Sequence, residues 1–418
     1  MLKFAVFCLV MLALPALSAP AADWPRFLGP NQNSISQEKG LARQWPQAGP
    51  KVLWTVPVGQ GFGGASVRQG KVYLLDRQGA EPNGKDVLRC LELATGHELW
   101  SFAYDAPGSA GFPGSRSTPT LDEENVYLAG PFGEIVCVSQ TTHQPLWRKN
   151  IIKDFGGKKL PWGFGFSPFV YKDLLIITPG SKDAGLAALN KRTGALVWKA
   201  ALTGDVGYTS PLLARLGGVD QVLIVTTKGI AGFEPSSGRP LWSWYGQWLC
   251  KIPIVSPVLV GDGRIFITGE YGAGSAMLRV KKNGDKFAVE PLWRTKLCGA
   301  QVQQPLLDRG YLYLGGNGNS THDGLICLDL AGNLKWKTGK EPNFDRGNMI
   351  LADGLIFIMD GTTGELHLVQ PDPAGYKELA RAKLLEANVS AWGPMALSGG
   401  RLLLRDQKQL KCVDVKSP

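Results

Sequence analysis

Side chains able to do acid–base or metal chemistry are few in this sequence and lie far apart. The four histidines stand at 97, 143, 322 and 367, and no HExxH, CxxC, GxSxG or Walker pattern groups such residues. His322 and Asp323 belong to the polar stretch GGNGNSTHDG, for which we favour a solvated loop over a small metal site. The sequence therefore predicts no catalytic residue and no metal site.

Polar and aromatic residues do recur just ahead of short apolar runs. The segments are GSRSTP, GFGFSP, GYTSP, KIPIVSP, QVQQP, FDRGNM and SAWGP, and Asp345 supplies their single carboxylate. These side chains suit binding through stacking, hydrogen bonds and ion pairs. The binding candidates in these segments and the loops beside them are Arg116, Trp162, Tyr208, Gln303, Asp345, Arg346, Asn348 and Trp392. For each of these residues, the alternative is that it lines a water-filled channel and binds only water.

A repeating unit positions these candidates. Tryptophans recur at spacings of 46, 47, 51, 44, 51 and 43 residues, at positions 54, 100, 147, 198, 242, 293 and 336. A period of 40 to 50 residues is typical of propellers and arrays. Residues 117–149 show the unit: STPTL, NVYLAG, EIVCVS and PLWRK are four short β-type runs separated by turns. The chain is essentially all β, with one weak helical period at 376–386.

Eight inner strands can be placed, and they predict one eight-bladed β-propeller of four-stranded antiparallel blades. They begin near Ala65, Pro119, Pro168, Pro211, Pro257, Pro305, Met349 and Pro394. The last repeat lacks a fourth strand, which KVLWTVPVG at 51–59 can provide, so an N-terminal strand closes the ring. We divide the chain into a signal peptide (1–22), an N-terminal arm (23–50) and the propeller (51–418).

Five of the recurring tryptophans end a hairpin such as LELATGHELW, Leu91 to Trp100, and Trp54 and Trp293 belong to looser copies. The turn glycine supplies the positive φ that a tight hairpin needs. A four-stranded sheet cannot stand alone, so a large flat side chain on its outer strand is best used to cover the neighbouring blade. We therefore expect the seven tryptophans to dock adjacent blades. Variable loops on the opposite face are the expected place for binding.

The N-terminus indicates export. Lys3 precedes an apolar run from Phe4 to Leu17 and the small residues SAPAA, which predicts cleavage near Ala21 or Ala22. The run is shorter than the roughly 20 residues of a membrane span. We expect a periplasmic or secreted monomer without a transmembrane segment. The net charge of +10 is compatible with anionic ligands, but export disfavours nucleic acid.

The cysteines of the mature chain predict few disulfides. Cys90 and Cys137 stand ten residues before a tryptophan, Cys327 nine, and Cys412 matches them in the last blade. Such equivalent slots on adjacent blades are too far apart to bond. Cys250 and Cys298 precede inner-strand prolines by seven residues, so a disulfide between them is open only if both lie close to the axis.

The eleven-residue unit CLELATGHELW, recurring in register over nearly all of residues 51–415, resembles the tryptophan-docking motif of the quinoprotein, or PQQ-like, propellers. The opening DWPRFLGPNQNSISQEKGLARQWP resembles the start of bacterial exported PQQ-binding-like propeller proteins. That resemblance implies two functional classes. One comprises calcium- and quinone-dependent alcohol and sugar dehydrogenases, and the other non-catalytic propellers such as the outer-membrane assembly lipoprotein of the Bam complex.

The dehydrogenases of this family place the quinone against a vicinal cysteine disulfide and bind calcium through several oxygen ligands. This chain has no adjacent cysteine pair, and one aspartate cannot build such a calcium site. We therefore expect a scaffold without cofactors that binds a protein segment or an extended polymer of the cell envelope. The alternative is an atypical PQQ-dependent oxidoreductase that also binds calcium, with Asp345 as base and Arg346 polarising the quinone carbonyl.

Overall fold

Eight antiparallel four-stranded sheets form a β-propeller in this computed structural model, which describes residues 22–317 and 322–417. The all-β, eight-bladed architecture predicted from the tryptophan spacing is confirmed. Residues 1–21, where nearly all of the predicted signal peptide falls, lie outside the described residues. Within the described ranges, no helix has the length and apolarity needed to cross a bilayer.

The arm, the ring-closing strand β2 and the first four blades contain one short helix and eighteen strands. Their bounds, in chain order, are β1 Ile35–Ser36, β2 Lys51–Pro57, β3 Ser66–Arg68, β4 Lys71–Gln78, β5 Lys85–Glu92, β6 Glu98–Asp105, β7 Thr120–Leu121, β8 Asn125–Ala129, β9 Glu134–Ser139, β10 Pro145–Asn150, α1 Ile151–Phe155, β11 Phe169–Tyr171, β12 Leu174–Ile177, β13 Leu186–Asn190, β14 Leu196–Ala200, β15 Leu212–Leu216, β16 Val219–Thr226, β17 Gly229–Phe233 and β18 Pro240–Tyr245.

The remaining four blades continue the same pattern. Their strands are β19 Val258–Gly261, β20 Arg264–Gly269, β21 Gly274–Asn283, β22 Lys286–Thr295, β23 Leu306–Asp308, β24 Tyr311–Asn317, β25 His322–Asp329, β26 Leu334–Lys337, β27 Met349–Ala352, β28 Leu355–Met359, β29 Glu365–Val369, β30 Glu378–Lys383, β31 Ala396–Ser398, β32 Arg401–Arg405 and β33 Gln409–Asp414. Blades 1 to 7 are the consecutive groups of four from β3 to β30, and blade 8 is β31–β33 with β2.

The ring closes through the N-terminal strand. β2 pairs antiparallel with β33, so that Trp54 lies opposite Cys412 and Lys51 opposite Asp414. This pairing covers the edge that the last three strands would otherwise expose. The predicted closure is therefore confirmed.

Strand direction defines two faces. Because successive strands are antiparallel, the connections from strand two to strand three and from one blade to the next lie on one face, here called the loop face. The turns between strands one and two and between strands three and four lie on the other, the turn face. The N-terminal arm crosses the turn-face end of the central channel. Its contacts reach blade 1 (Trp24 with Val67), blade 4 (Gln32 with Pro211), blade 7 (β1 parallel to β27) and blade 8 (Glu38 with Gly399).

The outer-strand tryptophans contact the following blade. In five of them the indole Nε1–H donates to a backbone carbonyl of the next turn at 2.8 to 3.0 Å, the pairs being Trp54–Leu93, Trp147–Lys191, Trp198–Pro235, Trp293–Leu330 and Trp336–Asp372. Trp100 instead stacks on His143 of blade 2, with ring centroids 4.5 Å apart. Trp242 donates to Gln221 of its own blade at 2.6 Å.

The turns between strands three and four receive these indoles. A Cβ built on Gly96, Gly194, Gly238 or Gly332 would stand 2.4 to 2.8 Å from the preceding blade's tryptophan. Each of these glycines also has a φ between +70 and +88. Glycine is thus needed twice, for the left-handed backbone and for the close approach of the ring. In blade 2, His143 occupies the equivalent place with a φ of 59.

Four of the cysteines occupy the buried positions that the spacing from the tryptophans predicts. Cys90, Cys137, Cys327 and Cys412 pair directly with a tryptophan of the outer strand and are fully buried. The indole opposite explains why a small residue occupies this slot. These four, and also Cys250 and Cys298, are free thiols, so the disulfide considered for Cys250 and Cys298 is absent.

Two local predictions are corrected. The weak helical period at 376–386 is strand β30, paired with β29, because a short apolar run carries little periodic information and the ladder decides its conformation. The helix α1 was not expected. Asn150 caps it by accepting from the backbone N–H groups of Ile152 and Lys153, and Gly156 ends it at a φ of 67.

Candidate functional site

A cup of about 260 Å³ lies in the middle of the loop face. Its walls come from connections into the inner strands, and Phe27 of the arm also lines it. Because the arm crosses the turn-face end, the channel is a recess with a floor rather than an open tube. Fifteen residues line it: Phe27, Phe62, Phe112, Arg116, Trp162, Gly165, Tyr208, Ile254, Tyr271, Gln301, Val302, Arg346, Asn348, Trp392 and Pro394.

Six of the eight sequence candidates line the cup: Arg116, Trp162, Tyr208, Arg346, Asn348 and Trp392. Gln303 and Asp345 do not, and both lie just behind the wall. The Gln303 amide donates to the backbone carbonyl of Asp345. These two residues therefore hold the wall in place, whereas we had expected them to face a ligand.

Five aromatic rings in contact with one another form a continuous belt along part of the cup wall. Trp162 stacks on Tyr208 with centroids 5.5 Å apart, and Phe62 stacks on Trp392 at 5.4 Å. Phe112 joins the two pairs, at 6.2 Å from Trp162 and 5.8 Å from Trp392. These spacings are typical of favourable ring contacts. The belt presents flat apolar surface to anything that enters.

Arg346 is held rigidly on one side of the cup. Its Nη1 is 2.9 Å from Asp345 Oδ1, and its Nε donates to Gln301 Oε1 at 2.7 Å. The guanidinium also lies 5.0 Å from the ring centroid of Trp392. The second oxygen of Asp345 accepts from the Trp392 indole at 2.9 Å. Both carboxylate oxygens of Asp345 therefore have donors, and this residue positions Arg346 and Trp392.

Arg116 occupies the other side and is paired differently. Its guanidinium donates to the backbone carbonyls of Gly114, at 2.7 Å, and Phe112, and lies 5.6 Å from the Phe62 ring centroid. No carboxylate of residues 22–317 or 322–417 forms an ion pair with it. Burial lowers the pKa of Arg116 to about 10. The side chain is nevertheless cationic at neutral pH.

Neutral donors complete the lining. The Tyr208 hydroxyl accepts from the Trp162 backbone N–H at 3.2 Å, and burial raises the pKa of Tyr208, so its proton stays available for donation at neutral pH. The Gln301 amide donates to the Tyr271 hydroxyl at 2.6 Å. The Asn348 amide donates to the Trp392 carbonyl at 2.5 Å. The cup thus combines an apolar belt with a few fixed polar groups, as ligand pockets do.

Sequence reasoning missed nine of the fifteen lining residues, among them the remaining aromatic and amide side chains Phe27, Phe62, Phe112, Tyr271 and Gln301. Phe62 stands three residues before Ala65 as Arg116 stands three before Pro119, so the same spacing rule identifies it. Gln301 could be found in the same way, from its place ahead of Pro305. Phe27, Phe112 and Tyr271 carry no comparable register signal.

A second recess of about 820 Å³, here called the cleft, opens beside the cup. Gln60 and Pro113 line it and are close in the chain to Phe62 and Phe112 of the cup. Its other lining residues are Pro57, Val58, Gly59, Arg77, Gln78, Gly79, Ala80, Glu81, Arg89, Gln407 and Lys408. The cleft is more polar than the cup, and it extends the binding surface across the junction of blades 8 and 1.

A buried charged cluster lies behind the cleft. Arg77 and Asp86 form an ion pair with 3.2 Å between Nη1 and Oδ1, and both side chains are buried. Asp86, Tyr104 and Glu134 pack around the Cα of Gly130. Desolvation by burial raises the pKa of Asp86 to about 7, against the opposing effect of Arg77. The protonation of this carboxylate therefore changes near neutral pH.

A calcium centre of the dehydrogenase kind does not fit the cup. A hard cation of this size needs six or more oxygen ligands, whereas the two oxygens of Asp345 are engaged by Arg346 and Trp392. In the described residues no three His, Cys, Asp or Glu side chains lie close enough to hold a metal ion. Asp323, the residue next to His322, pairs with Lys337 at 2.6 Å.

Several solved structures share the fold at low identity. A europium-containing methanol dehydrogenase aligns with a TM-score of 0.64 at 14% identity, covering 94% of this chain and 89% of its own. The quinohemoprotein alcohol dehydrogenase from Comamonas testosteroni aligns with a TM-score of 0.62 at 12% identity, covering 95% and 81%. Sqt1 from Chaetomium thermophilum aligns with a TM-score of 0.62 at 10% identity, covering 88% and 99%. At these identities the likeness shows the fold alone.

Comparison of the sequence with curated proteins finds no match. A family model described as outer membrane protein assembly factor BamB matches residues 35–160 and 131–374, which together span most of the chain. The matched segments run from strand β1 in the arm to the third strand of blade 7 and its following turn. The chain therefore belongs to this family of PQQ-like propellers.

Proposed function

We propose that the protein is an exported, non-catalytic propeller that binds a protein segment or another extended polymer of the cell envelope on its loop face. The observation that carries the proposal is the cup, whose aromatic belt and two arginines form a prepared binding surface at the open end of a closed channel. Rigid scaffolds that present variable loops commonly bind in this manner.

Exposed apolar side chains on the loop face support a macromolecular ligand. Phe112 is 42% exposed, and Leu249 and Leu297, on the connections into blades 5 and 6, are 55% and 62% exposed. Apolar residues that remain exposed around a recess are typical of a surface that another molecule covers. The surface extends beyond the cup, which favours a ligand larger than the cup itself.

The arrangement around Asp345 favours binding over catalysis. A general base must present a free oxygen to its substrate, whereas both oxygens of Asp345 accept hydrogen bonds within the wall. Asp345 also does not line the cup. The alternative, a PQQ-dependent oxidoreductase with Asp345 as base, requires this network to open.

Site-directed photocrosslinking tests the proposal. A photoreactive residue is placed at Leu249 on the loop face and, as a matched control, at Leu196 on the outer strand of blade 3, which is 50% exposed. In envelope extract we expect defined protein adducts from position 249 only, and we expect Trp162→Ala to reduce them because it removes part of the aromatic belt. Equal labelling from both positions contradicts the proposal.

An activity assay distinguishes the alternative. The purified chain is mixed with PQQ, calcium, a redox dye and a panel of alcohols and sugars. We expect no dye reduction above that of the mixture without protein. Reduction that depends on both PQQ and calcium, and that Asp345→Asn abolishes, would establish the oxidoreductase instead.

A further inference from the structure

We propose that the ligand is an extended acidic protein segment, which inserts an aromatic side chain into the cup, sets a neighbouring carboxylate against Arg116 and continues into the cleft. This inference rests on the proposed function and specifies the chemistry of its ligand.

The requirement for an anion comes from Arg116. The other arginines that line the cup and the cleft have acidic partners: Arg77 pairs with Asp86, Arg89 with Asp76, and Arg346 with Asp345. Arg405 also donates only to backbone carbonyls, but it is buried and lines neither recess. Arg116 donates only to backbone carbonyls in its hydrogen bonds within the described chain, and it is partly buried. A guanidinium that is desolvated without a counter-ion gains strongly from a carboxylate, which it can bind through two parallel hydrogen bonds.

The requirement for an aromatic anchor comes from the belt. Trp162 and Tyr208 on one side, and Phe62 and Trp392 on the other, offer ring faces, and Phe112 offers a partly exposed ring between them. An inserted ring would contact these faces by offset stacking or edge to face, at the spacing that the wall rings already keep among themselves. Aromatic anchors in such pockets commonly dominate binding energy at protein interfaces.

The requirement for an extended chain comes from the cleft. Phe112 and Pro113 are consecutive, and one lines the cup while the other lines the cleft. A segment that leaves the cup over this ridge enters a polar recess with amide side chains from Gln60, Gln78 and Gln407. Polar walls suit the backbone of an extended peptide, whose N–H and C=O groups need partners.

A polypeptide is favoured over a polysaccharide by the exposed apolar side chains of the loop face. Leu249 and Leu297 present more than half of their surface to solvent on the loop face. Apolar side chains of this kind gain from covering by other apolar side chains, whereas the hydroxyl groups of a sugar chain would lose water without gaining partners. The anion-binding group is the same in both cases, so the experiment includes both.

The test measures fluorescence anisotropy of short labelled peptides with the purified chain. The probe is a Gly/Ser peptide that carries a tryptophan flanked by aspartates. The matched peptides replace the aspartates by lysines or the tryptophan by alanine, and a polyuronate oligosaccharide serves as competitor. We expect the acidic probe to bind at least about tenfold more tightly than either matched peptide, which corresponds to about 1.4 kcal/mol, and we expect the polyuronate not to displace it.

Variants locate the interaction. Arg116→Gln should weaken the acidic probe about tenfold and remove the preference for aspartate over lysine. Phe112→Ala should weaken the tryptophan probe and leave the alanine peptide unchanged. Arg215→Gln is the control, because Arg215 lies next to the turn-face end of the inner strand β15 and its side chain is 71% exposed. This variant should bind every peptide with the same affinity as the unchanged protein.

Three outcomes overturn the inference: equal affinity for the aspartate and lysine peptides in the unchanged protein, an aspartate preference that survives Arg116→Gln, or displacement of the probe by the polyuronate. The peptide comparison in the unchanged protein and the Phe112→Ala variant decide the matter even where Arg116→Gln fails to fold. If photocrosslinking at position 249 yields protein adducts while the peptides show no preference, this inference fails and the proposed function stands.

Discussion

The contact between a turn glycine and the preceding blade's tryptophan can be tested with one matched pair of substitutions in blade 6. Gly332 has a φ of +88, and a Cβ added there would stand 2.8 Å from the Trp293 ring. Gly310, in another hairpin turn of the same blade, has a φ of +85, and a Cβ added there meets nothing within 4 Å. The two alanine variants share the backbone strain and differ in the indole contact.

The expected magnitudes follow from that difference. A non-glycine residue at this left-handed φ costs about 1 kcal/mol in either variant. In Gly332→Ala the indole must also move, and Trp293 then loses its 2.9 Å hydrogen bond to the Leu330 carbonyl. Overpacking costs about 1 to 3 kcal/mol and the lost hydrogen bond about 1 kcal/mol. We therefore expect Gly332→Ala to destabilise the protein by about 2 to 4 kcal/mol more than Gly310→Ala.

Urea unfolding monitored by tryptophan fluorescence and by far-UV circular dichroism measures the difference. Coincidence of the two transitions checks that a single free energy describes the unfolding of this large ring. Equal midpoints for Gly332→Ala and Gly310→Ala would refute the reasoning, because the indole contact would then contribute nothing to the junction between blades 5 and 6.

Two other predictions concern buried groups. The folded-state pKa of Asp86 is raised to about 7, above the roughly 3.9 of an unfolded chain, so the folded protein binds more protons between these values and its unfolding free energy falls as pH rises from about 4 to 7. Asp86→Asn should flatten the dependence of Tm on pH in this window, and an unchanged slope would contradict the assignment. Cys250 and Cys298 are free and buried, so without reductant an alkylating reagent should label both in denaturant and neither in the native protein. Mass spectrometry of the tryptic peptides checks this, and a mass lower by two hydrogens with no label would show a disulfide.

The repeat architecture was predictable because one physical requirement recurs in every blade. Each outer strand must cover its neighbour, so a tryptophan returns at a nearly fixed distance from a turn, and the slot opposite it must be small. Trp100 with Cys90 and Trp54 with Cys412 show the same pairing at opposite ends of the chain. A period of this kind can be recognised in a single sequence, and it predicts blade number, strand order and ring closure together.

Trp100 and Trp242 depart from the common contact with the next turn, and both departures follow from the same requirement. His143 replaces the turn glycine of blade 2 and keeps its positive φ, and its ring stacks on Trp100 in place of the bare glycine surface. In blade 5 the third hairpin is longer, since β21 and β22 run to Asn283 and back from Lys286. The indole of Trp242 then bonds to Gln221 of its own blade.

The candidate site was predictable only where it shares the period of the blades. Arg116, Trp162 and Trp392 stand in the segments ahead of inner strands, and for that reason the sequence identifies them. Phe27 reaches the cup because the arm crosses the channel, a route set by contacts such as Gln32 with Pro211, 179 residues apart in the chain. No local sequence pattern predicts a contact between residues so far apart in the chain.

The residues that join the blades stabilise the fold, and a different set of residues lines the cup. Residues under the periodic constraint, the tryptophans and their glycines, are committed to joining blades and cannot be varied for a ligand. Phe112, Arg116 and the arm residue Phe27 have no part in these blade-joining contacts, and they line a cup that the joining of blades does not require. Arg116 is partly desolvated there without a carboxylate partner in the described chain. The buried Arg405 also donates only to backbone carbonyls, but Arg116 differs from it by lining the recess. A cost of this kind at a loop-face recess is best explained by a ligand that supplies the missing anion.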